Sequence, residues 1–395
     1  MSPTPRRAPS PSPFNPSAPP TPDEPLALLG GLSPARFMRR HWQKKPLLIR
    51  QAIAGPAAPL DRSTLFELAG REGVESRLIE HGAAGWTLRH GPFARRALPP
   101  LKRPRWTLLV QGLDLHHEAA HALLQRFRFV PDARLDDLMV SWASEGGGVG
   151  PHFDSYDVFL LQVTGRRRWR IGRQKDLSLQ PDAPLKILSH FEPEEEFVLE
   201  PGDMLYLPPR WAHDGEAVGG DCMTCSIGFR APQRGGLAGE LLQRMADALE
   251  DETLYRDPDQ AATDTPARLP EGLQAFAADG LQRLLGERDA LGLALGEVMT
   301  EPKPHTWFDE PAGDWTPAAL WLDRRTRMMY DERHVFINGE GLRAGGADAR
   351  LMRRLADRRA LSDKEVQGAS ADAQAVLRDW FDAGWLRQQV HSDGD

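Results

Sequence analysis

The apolar residues of this chain follow different periods in different stretches. Residues 1–25 show none: ten prolines stand among Ser, Thr and Ala. So little apolar surface cannot offset the entropy of ordering, and a disordered tail is predicted. Structure is predicted from Leu26 onward. Ser33 followed by Pro34 makes an N-cap with proline at the first helical position, and the helix it opens carries Phe37 and Met38. Pro46 ends that stretch, and Leu47-Leu48-Ile49 reads as a short buried strand. A second helix, capped by Asp61 or Ser63, covers residues 65–69. Strand-like pieces follow at 76–80, 86–89 and 106–111, then a helix over 118–127 and a strand over 137–143.

From there to residue 229 short strand-like runs broken by turns take over. Residues 154–163 and 166–171 flank Thr164-Gly165, which reads as a hairpin turn. Residues 197–199 lead into Glu200-Pro201-Gly202-Asp203, where proline then glycine at the central positions is what a type II turn requires. Residues 204–207 and 223–229 are further strands, and Pro208-Pro209 breaks the first of them just before Trp211-Ala212-His213. Many short antiparallel strands at regular spacing predict a barrel or jelly roll.

After Pro232 the period becomes helical, with Leu237, Leu241, Met245 and Leu249, then Leu273, Leu281, Leu284, Leu285 and Leu291. Helices with one apolar face must pack on something, and an αα pair or a homodimer interface would both serve. A composition break at Glu301-Pro302-Lys303-Pro304 precedes strands at 326–330 and 334–338 and helices at 347–359 and 372–383. A small winged-helix-like module fits that order. The expected organisation is a tail over 1–25, a mainly β domain with N-terminal helices over 26–232, a helical region over 233–304 and a winged-helix-like domain over 305–395.

Charge and cysteine content narrow the function. A net charge of -7 over 395 residues argues against a general nucleic-acid or membrane-surface binder. Residues 306–395 hold 13 Lys/Arg against 16 Asp/Glu, a balance of -3, whereas a DNA-reading face is basic. A scaffold or protein-contact role is therefore expected of that module, without direct DNA binding. Two cysteines, Cys222 and Cys225, make no disulfide framework and point to a reducing compartment. Three apart on a strand, they face opposite sides, so a shared metal or redox pair is not expected. No apolar run approaches the ~20 residues of a membrane span. Arg6-Arg7 is followed by no apolar segment of an export signal, and the cytoplasm is the expected location.

The candidate chemistry sits in EGGGVGPHFDSYDVFLLQVTGRRRWRIG, residues 145–172. On a strand, residues two apart share a face, so His152 and Asp154 are expected to point together. One imidazole and one carboxylate are two thirds of the facial triad that non-haem iron(II) oxygenases use. His213, 59 residues beyond Asp154 and directly after a proline break, is the best third ligand. Structural zinc fits less well, because such sites are usually closed by four ligands. An HxD dipeptide alone is common by chance. What raises it here is its place at the head of an apolar strand, the glycine run before it, the third histidine, and an arginine in phase. In residues 166–171, alternation puts Arg167, Trp169 and Ile171 on the apolar, inward face and Arg166, Arg168 and Arg170 outward. An inward guanidinium needs an anion, which is either an internal Asp or Glu or the carboxylate of a ligand.

These runs, with PGDMLYLPPRWAHDGEA, SIGFRAP and, upstream, HWQKKPLLI, SRLIEHG and DDLMVSW, resemble the bacterial JmjC-type ribosomal oxygenases. The resemblance is close over about 26–232 and looser to the C-terminus. It implies a double-stranded β-helix of the cupin/JmjC jelly-roll kind, holding iron(II) through His152, Asp154 and His213. It implies that 2-oxoglutarate and O2 are co-substrates, with the distal carboxylate of 2-oxoglutarate on Arg167 and Ser141 assisting. The implied reaction is 3-hydroxylation of an arginine side chain in a large-subunit ribosomal protein, by a homodimer joined through the middle helices. Trp211 and Cys222-Met223-Thr224-Cys225 depart from the family's pattern. The competing readings are a JmjC-type demethylase or other cupin metalloenzyme, and a non-catalytic ribosome-binding module.

Overall fold

The computed structural model describes residues 19–55, 58–286 and 288–389; the tail expected over 1–25 lies, for its first 18 residues, outside them. In chain order the elements are α1 (Pro34–Arg40), β1 (Leu47–Ile49), α2 (Arg62–Leu68), β2 (Ser76–Gly82), β3 (Gly85–His90), β4 (Trp106–Val110) and α3 (Glu118–Gln125). They continue with β5 (Leu135–Ala143), β6 (His152–Phe153), β7 (Val158–Thr164), β8 (Arg167–Gly172), β9 (Glu195–Leu199), β10 (Met204–Leu207), β11 (Ala212–Ala217) and β12 (Cys222–Phe229). The helix starts follow cap chemistry: Ser33 Oγ accepts from the Arg36 N–H, and Asp61 Oδ1 from the Thr64 N–H at 2.8 Å.

Two antiparallel sheets form the jelly roll. The larger has the order β1-β10-β7-β12-β5-β4-β2-β3 and the smaller β6-β11-β8-β9. Period-two alternation divides the larger sheet into two faces with different jobs. Leu138, Val140 and Trp142 of β5, Phe159 and Leu161 of β7, and Cys225, Ile227 and Phe229 of β12 face outward. They join Phe37 of α1, Leu65 of α2 and Leu124 of α3 in the main apolar core. Each such fully buried large side chain contributes about 2–3 kcal/mol of burial. The opposite face looks toward the smaller sheet. It carries Asp137, Met139 and Ser141 on β5, Val158 and Leu160 on β7, and Thr224, Ser226 and Gly228 on β12, a set that mixes polar and apolar positions. The larger apolar core thus lies outside the roll; a smaller cluster that includes Val158, Leu160, Trp169, Ile171 and Leu205 fills part of the interior, and the polar positions beside it are available for chemistry.

Two expectations are corrected here. Thr164-Gly165 does not close a hairpin. β7 pairs with β10 and β12 in the larger sheet, while β8 pairs with β9 and β11 in the smaller. The turn carries the chain from one sheet to the other. Gly165 has φ +63°, and a Cβ there would lie 2.1 Å from the Asp221 carbonyl oxygen, so only glycine lets the corner seat against that backbone. Nor does one strand run over 154–163. β6 stops at Phe153 and β7 starts at Val158, so Asp154 sits in the turn between them. Ala212–Ala217, with its polar and glycine positions, is a strand that the apolar pattern alone left unassigned.

After the roll come α4 (Arg234–Asp247), α5 (Glu271–Gly286) and α6 (Arg288–Thr300). Their shared core is small, built on Met245, Leu284 and Ala294, whereas Leu273, Phe276, Leu281, Leu285 and Leu291 remain exposed. The last part contains β13 (Leu320–Leu322), β14 (Met328–Tyr330), β15 (His334–Ile337), β16 (Glu340–Arg343), α7 (Gly346–Arg358), β17 (Ala360–Leu361), α8 (Asp363–Gln367), α9 (Ala371–Asp382) and β18 (Leu386–Gln388). It has its own core around Leu355, Leu377 and Trp380. Arg128 ties it to the roll, donating to the Ala356 and Asp357 carbonyls, and Arg324 Nε donates to the Leu115 carbonyl at 2.7 Å. No helix of the described residues is long and apolar enough to cross a membrane.

Candidate functional site

The smaller sheet builds the metal-ligating group. β6 and β11 pair antiparallel with His152 directly opposite His213, which brings the two imidazole centroids to 4.2 Å. Asp154 joins them from the turn. The backbone N–H of Arg210 donates to the Asp154 carbonyl at 2.7 Å, pinning the turn to the segment that leads into β11. Arg210 adopts a left-handed φ of 65°, so the Pro208-Pro209-Arg210 corner is shaped to make that contact. One ligand atom from each of His152, Asp154 and His213 lies within 4.8 Å of the others, and Asp154 Oδ2 is 3.7 Å from His213 Nε2. Among the described residues they are the one group of three or more His, Cys, Asp or Glu so placed.

The hydrogen bonds set the tautomers. His152 Nδ1 meets the Gly150 carbonyl at 2.8 Å and His213 Nδ1 meets the Trp211 carbonyl at 3.0 Å. A carbonyl only accepts, so both Nδ1 atoms carry the proton and both Nε2 atoms present a lone pair. Burial, with the neighbouring His152, holds the His213 pKa down at about 4, so the ring is neutral at physiological pH. Two oriented imidazoles and a carboxylate form the donor set of a facial triad with open positions. The donor chemistry therefore fits a divalent transition-metal ion.

The second feature is Arg167. It starts β8, opposite Ala217 of β11, and is 4% exposed. Its Nη1 donates to Ser141 Oγ at 2.9 Å and to Thr224 Oγ1 at 3.3 Å, and Nε has no partner. Ser141 and Thr224 are themselves cross-strand partners on β5 and β12, and Thr224 Oγ1 donates to Gln162 Oε1 of β7 at 2.9 Å. A polar row on three neighbouring strands thus reaches across the roll to one guanidinium. No carboxylate among the described residues pairs with it. An internal Asp or Glu was one of the two expectations for this arginine, and it is not what the fold supplies. A buried cation without a counter-ion is costly unless a ligand brings the anion. By contrast Arg168 pairs with Glu216 and Arg170 with Asp214 on the outer face.

Both features line one cavity of about 540 Å³, within the range of small-molecule sites. Trp169 spans them, its ring 5.4 Å from the Arg167 guanidinium carbon and 5.8 Å from the His213 ring. Gly148 lets the loop before β6 press on β11, since a Cβ there would meet the Gly215 carbonyl at 2.3 Å. Cys225 belongs to the outer core, while Cys222 packs with Ala143 and Ala217; both are free. Trp211 is half-buried beneath Arg173, whose guanidinium lies 5.6 Å from its ring.

Two sets of residues were not singled out from the chain. Thr224 completes the Arg167 row, and Asp137, Met139 and Tyr156 line the far side of the cavity. Parity on β5 was an available signal for Asp137 and Met139, which share Ser141's face at steps of two. Thr224 became meaningful only once β12 was seen to pair with β5.

Comparison with known proteins places these features in context. A family profile described as JmjC domain matches residues 122–237, and one described as ROXA-like winged helix matches residues 279–387. The ribosomal protein uL16 3-hydroxylase of Escherichia coli is 39% identical over 282 residues, 69% of this chain and 69% of that protein. A probable ribosomal oxygenase of Haemophilus influenzae is 28% identical over 400 residues, 90% of this chain and 96% of the relative. The solved structure of YcfD, a ribosomal oxygenase from Escherichia coli in complex with cobalt and 2-oxoglutarate, superposes with a TM-score of 0.75 at 30% identity. It covers 89% of this chain and 96% of that one.

Proposed function

This chain belongs to the JmjC-domain ribosomal oxygenases, and from that membership we propose that it hydroxylates an arginine side chain, at the 3-position, in a large-subunit ribosomal protein. The observation that carries the reading is the meeting, in one cavity, of a His-Asp-His donor set and a buried arginine without a carboxylate partner. His152, Asp154 and His213 hold iron(II). Arg167, steadied by Ser141 and Thr224, takes the distal carboxylate of 2-oxoglutarate. The bound iron, with 2-oxoglutarate and O2, supplies the oxidising power that turns C–H into C–OH, giving succinate and carbon dioxide.

The chain's own residues position and protect. The Gly150 and Trp211 carbonyls keep both imidazoles turned with Nε2 toward the metal position. Trp169, Val158 and Leu160 give that end of the cavity apolar walls that exclude water. The far wall suits a cationic side chain. Asp137 is buried, and burial pushes its pKa up. Its Oδ2 accepts from Gln111 Nε2 and from the Gly112 N–H, while Oδ1 faces the bare Gly228, where a Cβ would sit 3.3 Å away. A guanidinium entering there gains a charge-assisted hydrogen bond and relieves the buried carboxylate. Met139 and Tyr156 flank the path for its methylenes.

The test is incubation of the full chain with iron(II), 2-oxoglutarate and purified large-subunit ribosomal proteins, read by intact mass and fragmentation. One oxygen atom on a single arginine is the expected result. Formaldehyde release from a methylated peptide would mark a demethylase instead, and ribosomal-protein binding without turnover a non-catalytic module. Asp137→Asn is expected to raise KM for the protein substrate about 30-fold, for a charge-assisted bond of about 2 kcal/mol. Substrate-independent turnover of 2-oxoglutarate should stay at its wild-type rate. An unchanged KM would remove Asp137 from the substrate site.

We also infer a homodimer joined through α4–α6. Leu281, Leu285 and Leu291 are more than two-fifths exposed, on helices whose own core is small. Leu281→Asp should convert a dimer to a monomer in sedimentation with the roll still folded. A wild-type monomer, or a variant that stays dimeric, would refute that face.

A further inference from the structure

We infer that the exposed basic rim formed by residues 89–105, at the β3 edge of the larger sheet, is a docking surface for the phosphate backbone of RNA. In this stretch Arg89, Arg95, Arg96, Lys102, Arg103 and Arg105 stand without one Asp or Glu, although the whole chain carries a net charge of -7. All six side chains are exposed. The fold collects them rather than dispersing them. Arg89 lies on β3 opposite Leu78, and Arg103 and Arg105 lead into β4, on the other side of β2. The Arg95 guanidinium carbon lies 5.0 Å from the Phe66 ring centroid, a cation–π contact that fixes the position of the head while the residue stays exposed.

Internal neutralisation is slight. Glu80 is the carboxylate that reaches this group, 3.1 Å from Arg103 and 3.7 Å from Arg89. Among the described residues Arg95, Arg96, Lys102 and Arg105 pair with no carboxylate. Four unpaired exposed cations within eleven positions are the footprint of a polyanion rather than of a solvated face carrying both signs.

A second observation separates nucleic acid from other polyanions. At the tip of the same hairpin His81 and Trp86 stack with centroids 4.1 Å apart and planes 11° apart, and Trp86 is part-exposed. The His81 N–H donates to the Arg105 carbonyl at 3.0 Å, which joins the stack to the cations. An aromatic pair with one exposed and one part-exposed ring, beside clustered arginines, resembles the stacking platforms that single-stranded bases use.

The rim also adjoins the catalytic mouth. Trp86 lies against Gly150, where a Cβ would meet its ring at 2.8 Å, two residues before His152. Ile79 and Leu88 of the same hairpin line the cavity. A strand crossing the β3 edge would run beside the opening where the protein substrate enters. The choice of RNA over an acidic protein rests on the reading above, because a ribosomal protein is surrounded by RNA.

The test is fluorescence anisotropy of the full chain with a labelled single-stranded RNA of about 16 nucleotides, over a range of salt. Wild type should bind, with affinity falling linearly in log–log salt. Arg95→Ala/Arg96→Ala/Lys102→Ala should bind at least tenfold more weakly, with a salt slope smaller by about 2, since each single-strand contact contributes ~0.7. None of the three residues touches the cavity, so hydroxylation of a free peptide should be unchanged, which also shows that the variant is folded. The single Arg96→Glu change keeps the test open if the triple variant does not fold. The inference is overturned if wild type does not bind RNA at low salt, if the variants bind as wild type does, or if labelled poly-glutamate of matched charge binds equally well. The binding assay needs no turnover, so this surface and the hydroxylase reading can fail separately.

Discussion

Asp154→Ala should abolish turnover, with kcat/KM falling at least about 10³-fold, equivalent to roughly 4 kcal/mol of barrier. Asp154 is the anionic member of the triad. Without it two imidazoles remain, and such a pair holds a divalent cation weakly. The variant should still fold, because the contact that fixes this turn, the Arg210 N–H, goes to the Asp154 backbone carbonyl and not to its side chain. Calorimetric titration with cobalt(II) or manganese(II) separates the two consequences. Wild type should bind one ion per chain and the variant far more weakly, with melting temperatures of the metal-free proteins alike. Retained metal affinity and rate would show that the metal lies elsewhere.

Arg167→Met should raise KM for 2-oxoglutarate about 100-fold, for a charge-assisted carboxylate contact of about 3 kcal/mol, and leave kcat at saturation within a few-fold. The split follows from the proposed role, in which the guanidinium would meet the end of the co-substrate remote from the metal ligands. Methionine keeps most of the buried stem, and removing a buried cation without a carboxylate partner costs little stability. Arg167→Lys should recover only part of the affinity, since an ammonium lacks the planar pair of N–H donors that grips a carboxylate bidentately. Steady-state rates with 2-oxoglutarate varied are the measurement. An unchanged KM would take Arg167 out of the co-substrate site.

Much of this was legible along the chain, for identifiable reasons. Cap chemistry is local, so Ser33 marked its helix, and of the two caps read for the second helix, Asp61 and Ser63, Asp61 is the one that caps it. Strand parity is also local, so Arg167, Trp169 and Ile171 were expected inward and Arg168 and Arg170 outward, and their burial follows that order. The two corrections share one cause. Thr164-Gly165 has the composition of a hairpin turn, but composition does not say which sheet the next strand joins. Asp154 was placed on His152's strand by an alternation that the real chain interrupts at Phe153. The pair still converges, because a neighbouring backbone N–H captures the turn.

What the sequence alone determined is the inventory and its phase: which residues carry donor atoms, which face of a strand each occupies, and where helices begin. These depend on φ/ψ periodicity and on neighbours a few positions away. What only the tertiary structure decided is adjacency. β11 lies beside β6, so His213 stands opposite His152; β5 and β12 lie side by side, so Ser141 and Thr224 reach one guanidinium; and no carboxylate lies beside Arg167. Partners in a jelly roll are many tens of residues apart in the chain. Their pairing is set by how apolar faces close over a common core, so it is a property of the whole fold and not of any local stretch.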